Sequence, residues 1–316
     1  MTSKEFSIAV LCGGVSNERE VSLISGRSVA EELQKHYPVE LIDLTEAEVP
    51  ATLDPANTII FPALHGEFGE DGQLQELLET QGFVFAGSGS LSSRLCMNKV
   101  DTKSLMRMSG VRTPQGVHFY GEAKPDPAEV VNFLGEDLVL KPADQGSSRN
   151  LSVITGKDAL AHAIAPLEAG MWLIEERIFG RILTMGVLRG RAMGAVEIIP
   201  EGGLDTYETK YTEGKEVFEF PADIPEAVRR EMVTQSEKLF HVCDCRDFAR
   251  ADFIISNEGN SYCLEINTIP GFTPVSLLPK SAHCIGYDWE SLCCLMLEPA
   301  VERFALRMKS LHHVKK

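Results

Sequence analysis

The first part of the chain alternates short apolar runs with segments in which apolar residues recur at helical spacing. Residues 7–11, 39–44 and 58–64 are apolar enough for buried strands, and residues 20–36 have the spacing of an amphipathic helix. A polar loop over 65–72 and a further helix to residue 80 follow. Strands that alternate with helices are typical of a parallel sheet, so we predict a small α/β domain over residues 1–92.

The remaining pattern predicts two further domains of mixed α+β type. Residues 93–174 contain a helical segment over 99–108 and strand-like runs near 138–141 and 171–178. Residues 175–316 contain strands rich in β-branched residues, a polar loop near 201–214, and helical segments over 225–243 and 289–311. We expect three domains that share clefts.

Residues 250–267 carry the most informative local pattern, two alternating runs around a polar turn at 257–260. A hairpin centred between positions 258 and 259 places Asp252 opposite Glu265 and Arg250 opposite Asn267. Because side chains alternate between the faces of a strand, these four side chains should share one face. The same register assigns the other, core-facing side to Phe253, Ile255, Leu264 and Ile266.

Two carboxylates that face each other across a hairpin repel unless a proton or a cation lies between them. Asp252, Glu265 and Asn267 offer the oxygen ligands that Mg²⁺ prefers, and Mg²⁺ takes its remaining ligands from water and nucleotide phosphates. The hairpin therefore predicts a magnesium site. The alternative is a solvent-facing hairpin with incidental acids.

The net charge of −16 argues against nucleic acid or an anionic membrane as a partner, because most of the surface repels both. The sequence has neither a secretory signal pattern nor an apolar run long enough to span a bilayer. We expect a cytoplasmic protein.

The eight cysteines lie mostly within apolar stretches, and we expect buried, reduced thiols. His241, Cys243 and Cys245 alternate as metal ligands on a strand do. They have no second ligand pair at zinc-like spacing, so a metal site there is the less favoured interpretation.

Lys141 ends an apolar strand and opens a loop, 142–148, whose glycine and serines let backbone N–H groups approach a phosphate. Neither a GxxxxGK[ST] phosphate loop nor a GxGxxG fingerprint occurs. A nucleotide would therefore be held by lysines that are far apart in sequence.

Five ordered motifs carry a family resemblance over nearly the whole chain. They are LCGGVSNEREVS at 11–22, HGEFGEDG at 65–72, KPADQGSS at 141–148, YETKY at 207–211 and LEINTIPGFT at 264–273. Together they resemble the D-alanine–D-alanine ligases of the ATP-grasp superfamily. The resemblance implies a three-domain ATP-grasp fold with a preATP-grasp α/β amino-terminal domain.

The resemblance also implies roles at the amino-acid site. Glu18 would hold the ammonium group of the first D-alanine, Ser147 and Tyr211 would complete a hydrogen-bonded triad with it, and His65 would lie nearby. Ser276 and Leu277 resemble the family's substrate-binding pair, and Arg250 and the Gly271 N–H resemble its oxyanion donors. An interpretation of Glu18 as a helix cap is compatible with this role.

For the nucleotide, the resemblance implies ATP as co-substrate, with two Mg²⁺ ions for which Mn²⁺ can substitute. The implied phosphate and adenine contacts are Lys99, Lys141, Ser147, Ser148, Lys210 and the hinge of Glu175, Glu176, Arg177 and Ile178. The implied metal ligands are Asp252, Glu265 and Asn267, in agreement with the hairpin pattern. The segment that bears Lys210 and Tyr211 resembles a loop that closes over the site and excludes water.

The implied reaction ligates two D-alanines through a D-alanyl phosphate, in a homodimer that serves peptidoglycan synthesis, cell-wall biogenesis and cell shape. Three alternatives stay open: a ligase that uses D-serine, an inactive nucleotide-binding pseudoligase, and another ATP-grasp enzyme such as a carboxylase. A ligase for D-lactate is less favoured, because ester-forming relatives typically carry phenylalanine where this chain has Tyr211.

Four residues depart from the family pattern. Ile182 stands where a glutamate usually grips the ribose, which predicts weak discrimination against deoxy-ATP. Arg149 and Asn150 replace a Val-Gly pair, and Asn98 replaces an aspartate before Lys99.

Overall fold

The amino-terminal strands form a parallel sheet because each connection returns the chain to the end of the sheet at which the previous strand began. The computed structural model describes residues 6–146, 150–200 and 216–314. Its first sheet has the order β2-β1-β3-β4, from β1 (Ser7–Gly13), β2 (Val39–Leu44), β3 (Thr58–Pro62) and β4 (Val84–Phe85). The helices are α1 (Arg19–Leu33), α2 (Gln73–Thr80) and α3 (Ser90–Met97). The predicted parallel sheet with intervening helices is confirmed; α3 was not predicted.

The second sheet is antiparallel, with the order β5-β8-β6-β7. Its strands are β5 (Gly116–Tyr120), β6 (Asp137–Pro142), β7 (Ser152–Thr155) and β8 (Met171–Glu176). The accompanying helices are α4 (Lys99–Ser109), α5 (Pro127–Leu134) and α6 (Lys157–Ile164). Strand β8 spans the predicted border between positions 174 and 175.

The third sheet is antiparallel and has the order β11-β10-β9-β12-β13. Its strands are β9 (Gly180–Leu188), β10 (Arg191–Pro200), β11 (Glu216–Glu219), β12 (Phe248–Ser256) and β13 (Ser261–Asn267). The helices after residue 216 are α7 (Glu226–Val242), α8 (Leu277–His283) and α9 (Trp289–Val314). The predicted loop at 201–214 lies outside the described residues.

The β12–β13 register confirms the predicted pairs at the polar face: Asp252 faces Glu265, and Arg250 faces Asn267. The register then shifts by one residue, so that Phe253 faces Cys263. The prediction that Leu264 lies on the core face was wrong, because this bulge makes Leu264 the extra, partly buried residue and leaves Cys263 fully buried.

The carboxyl-terminal helix returns to the first sheet. Leu292, Met296 and Phe304 of α9 share one buried cluster with Ile8 and Val10 of β1. The chain ends are thereby joined in one core, although they are remote in sequence. Within the described ranges, no helix is both long enough and apolar enough to cross a bilayer.

The eight cysteines are free thiols and six are buried, as expected. The metal interpretation of His241, Cys243 and Cys245 receives no support. His241 is exposed near the end of α7 rather than on a strand, whereas Cys243 and Cys245 are buried beyond it. Over 6–146, 150–200 and 216–314, no group of three or more His, Cys, Asp or Glu side chains is arranged to hold a metal ion.

Candidate active site

On the polar face of β12 and β13, Asp252 accepts hydrogen bonds from several neighbouring side chains. The Arg250 guanidinium donates from Nε to Oδ1 (2.8 Å) and from Nη2 to Oδ2 (2.7 Å) of Asp252. Asn267 Nδ2 donates to Asp252 Oδ2 at 3.0 Å. These contacts fix the carboxylate on the face where the alternation predicted it.

Thr184 is a member of this site that the sequence did not reveal. Its Oγ1 lies 2.6 Å from Asp252 Oδ1, and the residue is fully buried. Strand β9 pairs with β12 so that Thr184 faces Asp252. The pairing of β9 with β12 joins segments nearly 70 positions apart, and local alternation carries no information about such a neighbour.

Lys99 lies close to the second carboxylate, that of Glu265. Its Nζ lies 3.6 Å from Glu265 Oε2 and donates to the Gln145 carbonyl at 2.7 Å. Burial lowers the pKa of Lys99, and Glu265 partly offsets this effect. Lys99 is also the first residue of α4, so the helix start fixes the position of its backbone.

Lys141 of β6 reaches a second carboxylate, that of Glu175 in β8. Lys141 Nζ lies 2.6 Å from Glu175 Oε2, and Lys103 Nζ lies 2.5 Å from Glu175 Oε1. Lys103 was also missed, although it stands four residues after Lys99 and so one turn along the same helix face. The structure thus brings Lys99, Lys103 and Lys141 together beside the hairpin carboxylates.

The other residues of the predicted adenine hinge, at 176–178, direct their side chains toward other parts of the protein. Glu176 Oε1 accepts a hydrogen bond from Gln115 N at 2.8 Å, and the Arg177 guanidinium lies 4.5 Å from the centre of the Phe179 ring. Ile178 is partly buried. An adenine ring at this hinge would therefore contact the backbone of residues 176–178.

Glu18 stands at the start of α1 and faces the loop that precedes position 147. Glu18 occupies the N-cap position of α1, but its side chain forms no capping hydrogen bond with the helix. An ideal Cβ on Gly146 would lie 3.9 Å both from Glu18 Oε1 and from Glu70 Oε2. A cavity of about 680 Å³ opens here, and Glu18, Gly66, Asp144 and Gly146 are among the residues that line it.

His65 is buried, and both ring nitrogens have partners. Nε2 lies 2.8 Å from Ser25 Oγ, and Nδ1 lies 3.2 Å from Glu70 Oε1. Burial raises the pKa of Glu70, and His65 partly offsets this effect. Sequence reasoning missed Ser25 and Glu70, although both lie in or beside quoted motifs, because neither position has a spacing that suggests chemistry.

The predicted oxyanion donor and substrate pair lie together after β13. An ideal Cβ on Gly271 would lie 2.8 Å from Ser276 Oγ, so a larger residue here would displace that hydroxyl. Ser276 Oγ also lies 2.8 Å from Thr273 Oγ1, and Leu277 begins α8. The Phe272 N–H donates to Ser25 Oγ at 3.4 Å, which connects this loop to His65.

The structure also accounts for two of the departures from the family pattern. Asn98 caps α4, because its Oδ1 accepts from the N–H groups of Val100 and Asp101, as an aspartate would. Ile182 lies in an apolar row between Ile198 and Ile254. This row is on the same sheet face as Thr184 and Asp252, since the side-chain period of a strand is two.

The predicted residues Ser147, Ser148, Lys210 and Tyr211 lie outside the described residues, as does Arg149.

Comparisons with known proteins find similarity to D-alanine–D-alanine ligases over almost the full length of the chain. The family model described as D-ala D-ala ligase C-terminus matches residues 111–298. A D-alanine–D-alanine ligase of Citrifermentans bemidjiense is 38% identical over 303 residues, which cover 94% of this chain and 97% of that protein. A ligase of the same name from Magnetococcus marinus is 36% identical over 307 residues, covering 95% and 99%.

Two solved structures share the fold. A D-alanine–D-alanine ligase from Bacillus anthracis complexed with ATP has a TM-score of 0.82 and 26% identity, covering 96% of this chain and 99% of that one. The VanG D-Ala:D-Ser ligase from Enterococcus faecalis has a TM-score of 0.81 and 25% identity, covering 94% and 99%.

Proposed function

The chain belongs to the D-alanine–D-alanine ligase family, with its ATP-grasp fold, and we propose that it joins two D-alanines into D-alanyl-D-alanine with conversion of ATP to ADP and phosphate. The observation that carries the proposal is the convergence of Lys99 and Lys141 with the Asp252–Glu265 face. Buried cations beside paired carboxylates suit a nucleotide triphosphate and its metal. Such a positive cluster is unexpected in a chain of net charge −16.

The donor set of the hairpin fits magnesium. Asp252, Glu265 and Asn267 offer oxygen atoms, and two carboxylates leave the remaining coordination positions to phosphate oxygens and water, as Mg²⁺ prefers. When bound, the metal would neutralise charge on the transferring phosphoryl group. Arg250 and Lys99 balance Asp252 and Glu265 in the described structure.

For the nucleotide, we assign the phosphates to Lys99 and Lys141 and the adenine to the hinge at 175–178. Lys99 lies 3.6 Å from the Glu265 carboxylate, and Lys141 lies 2.6 Å from that of Glu175. The hinge backbone lies at the end of β8, next to Glu175. Ser147, Ser148 and Lys210 complete this assignment by family resemblance alone. ATP would thus lie between the second and third sheets.

For the amino acids, we assign the first D-alanine to Glu18 and the second to Ser276 and Leu277. The Glu18 carboxylate borders the cavity beside Gly146 and is a suitable partner for an ammonium group. His65 uses both nitrogens within the protein, so we assign it a positioning role rather than direct substrate contact. Ser147 and Tyr211 remain predictions.

In the proposed reaction, the carboxylate of the first D-alanine attacks the γ-phosphorus of ATP, which gives D-alanyl phosphate and releases ADP. The amine of the second D-alanine, after loss of one proton from its ammonium form, attacks the acyl carbon. The tetrahedral oxyanion then collapses and expels inorganic phosphate, and the nitrogen gives its second proton to the departing phosphate or to water. Arg250 pairs with Asp252 through Nε and Nη2, so we assign Nη1 and the Gly271 N–H to the oxyanion.

The first experiment is ADP release by the purified full chain with ATP and Mg²⁺, with and without D-alanine, followed by mass identification of products. We expect release that requires D-alanine and forms the dipeptide. L-alanine, D-serine and D-lactate serve as acceptor controls. A mixed product with D-serine as the preferred acceptor would reassign the enzyme, and ATP binding without turnover on any acceptor would identify a pseudoligase.

The wider setting is proposed from the family: a homodimer in the cytoplasm that supplies the D-alanyl-D-alanine of peptidoglycan precursors, with no nucleic-acid or membrane partner. Equilibrium sedimentation tests the dimer. The division into domains at 1–92, 93–174 and 175–316 stays a prediction, and limited proteolysis would test it.

A further inference from the structure

Lys103 is an unusual residue, a lysine whose side chain is fully buried next to a nucleotide site. The residue has no exposed surface, and its Nζ lies 2.9 Å from Thr113 Oγ1 and 2.5 Å from Glu175 Oε1. None of the family motifs includes it. Burying an ammonium group costs several kcal/mol unless charges and hydrogen bonds compensate.

Glu175 is the compensating charge, and it is shared. Its second oxygen lies 2.6 Å from Lys141 Nζ, and the residue is only 2% exposed. Burial alone would raise the pKa of Glu175, but Lys103 and Lys141 outweigh this effect and hold the pKa below its ordinary value. The three groups therefore form a buried Lys–Glu–Lys array with a net charge of +1.

The net charge of this array decides what Lys141 can offer a phosphate. With Lys103 present, one of the two positive charges neutralises Glu175 and the other remains. Without Lys103, Glu175 and Lys141 would form a neutral pair, and the Lys141 ammonium would be held by the carboxylate. In a buried site such a difference is poorly screened by water.

We infer that Lys103 is a positioning residue for ATP: it neutralises Glu175, so that the charge of Lys141 is available to the nucleotide phosphates. The inference rests on the proposed assignment of Lys141 to phosphate. Lys103 touches no substrate and acts through Glu175. The competing explanation is a core ion pair that only attaches α4 to β8.

Binding of ATP, ADP and adenosine to the full chain separates these explanations. In Lys103→Met, which keeps most of the length of the side chain but not its charge, we expect ATP and ADP to bind about tenfold to a hundredfold more weakly. Adenosine, which has no phosphate, should bind within about twofold of wild type. Arg107→Met is the matched control, because it removes one positive charge from an exposed position of the same helix.

The double variant Lys103→Met/Glu175→Gln tests the charge argument directly. Removing both members of the pair restores a net charge of +1 on Lys141, so the preference for ATP over adenosine should recover relative to Lys103→Met. A purely structural role predicts no such recovery. The double variant also leaves no unpaired carboxylate in the core, which keeps the test valid if Lys103→Met does not fold.

Wild-type protein offers a further measurement. Burial lowers the pKa of Lys103 to about 8, with Glu175, Lys141 and Cys263 as the titratable groups around it. The pKa of Glu175 is lowered and burial raises that of Cys263. Deprotonation of Lys103 removes the surplus charge, so ATP affinity should fall between neutral pH and about pH 9.5, while adenosine affinity holds. The double variant keeps Lys99 and Lys141 but lacks Lys103, so it should lose less ATP affinity than wild type over the same pH range.

Equal weakening of all three ligands in Lys103→Met, or no weakening, would overturn the inference and leave the proposed function intact. Wild-type protein that binds no ATP would overturn both.

Discussion

At the scale of single residues, Asp252 is the side chain on which most of the site depends. It pairs with Arg250, accepts from Asn267 and Thr184, and is a proposed ligand of the metal. We expect Asp252→Ala, and likewise Glu265→Ala, to lower turnover about a thousandfold or more while the protein stays folded. ADP release and circular dichroism measure the two effects.

The matched control is Glu258→Ala, because Glu258 is an exposed carboxylate at the turn of the same hairpin. It should leave turnover unchanged. Near-normal magnesium-dependent activity in Asp252→Ala or Glu265→Ala would refute the metal assignment.

We expect Ser25 to influence which nitrogen of His65 carries the proton. An N–H can only donate, so Ser25 Oγ accepts from Phe272 N and has its own proton available for His65 Nε2. The neutral ring is then protonated at Nδ1 and donates to Glu70. We expect two-bond ¹H–¹⁵N NMR spectra to show the Nδ1–H tautomer in wild type and a tautomer mixture in Ser25→Ala, with lower turnover and an unchanged KM for ATP.

Ser93→Ala is the control, since Ser93 is equally buried and its hydroxyl has no hydrogen-bond partner within the described residues. An Nε2–H tautomer in wild type would contradict the assignment.

We expect Ile182 to weaken recognition of the ribose. The apolar row of Ile182, Ile198 and Ile254 offers no acceptor to a ribose hydroxyl, so wild type should use ATP and its 2′- and 3′-deoxy analogues with similar kcat/KM. Ile182→Glu should raise the preference for ATP about tenfold, the value of one charge-assisted hydrogen bond. Ile199→Glu, which adds a carboxylate to the opposite face of β10, should not. A strong wild-type preference for ATP would defeat this prediction.

At the scale of secondary-structure elements, the start of α4 connects helix stability to the site. Asn98 caps the helix and Lys99 follows it directly. We expect Asn98→Ala to lower the free energy of unfolding by about 1 kcal/mol and to weaken ATP binding, because a frayed first turn no longer fixes Lys99. Asn98→Asp should retain both properties. Urea unfolding and ATP titration measure them, and equal values for Asn98→Ala and wild type would show that the cap is dispensable.

The elements also show how far the sequence could predict this site. The pairs Asp252–Glu265 and Arg250–Asn267 follow from local alternation and turn chemistry, and the structure has both. The bulge at Leu264 could not be predicted, because a regular period of two contains no signal for an extra residue.

Contacts between distant segments were beyond prediction for a different reason. Thr184 meets Asp252 only because β9 and β12 are neighbours, and Lys103 meets Glu175 only because α4 packs beside β8. Sequence spacing is informative within an element, whereas the order of strands in a sheet is set by the packing of the whole chain. The family resemblance supplied roles that spacing alone could not.

At the scale of the whole molecule, Asp247 joins two parts of the chain, the first lobe (residues up to 92) and the third lobe (residues from 175). Arg303 of α9 donates from Nη1 and Nη2 to the two carboxylate oxygens, at 2.7 and 2.6 Å, and also from Nη2 to the Phe85 carbonyl. Gly87 N donates to Asp247 Oδ2 at 2.8 Å. The next residue, Phe248, begins β12 and packs against Phe61 and Phe272.

We expect this junction to set the distance between the two halves of the proposed amino-acid site, because Glu18 and His65 belong to the first lobe whereas Arg250 and Ser276 belong to the third. The proposed ATP site lies between the second and third sheets and does not depend on the junction. Asp247→Asn should therefore lower the free energy of unfolding by roughly 2–3 kcal/mol and raise the KM for D-alanine more than the KM for ATP.

Glu302→Gln provides the comparison. Glu302 lies next to Arg303 on α9 and forms an exposed ion pair with Arg189, so its loss should change neither the free energy of unfolding nor the KM values. A parallel rise in both KM values would mean that Asp247 supports the whole catalytic region rather than the junction. Lower stability with both KM values unchanged would mean that the lobes keep their spacing through the Phe61–Phe248–Phe272 cluster alone, because apolar packing would then suffice where the ion pair does not.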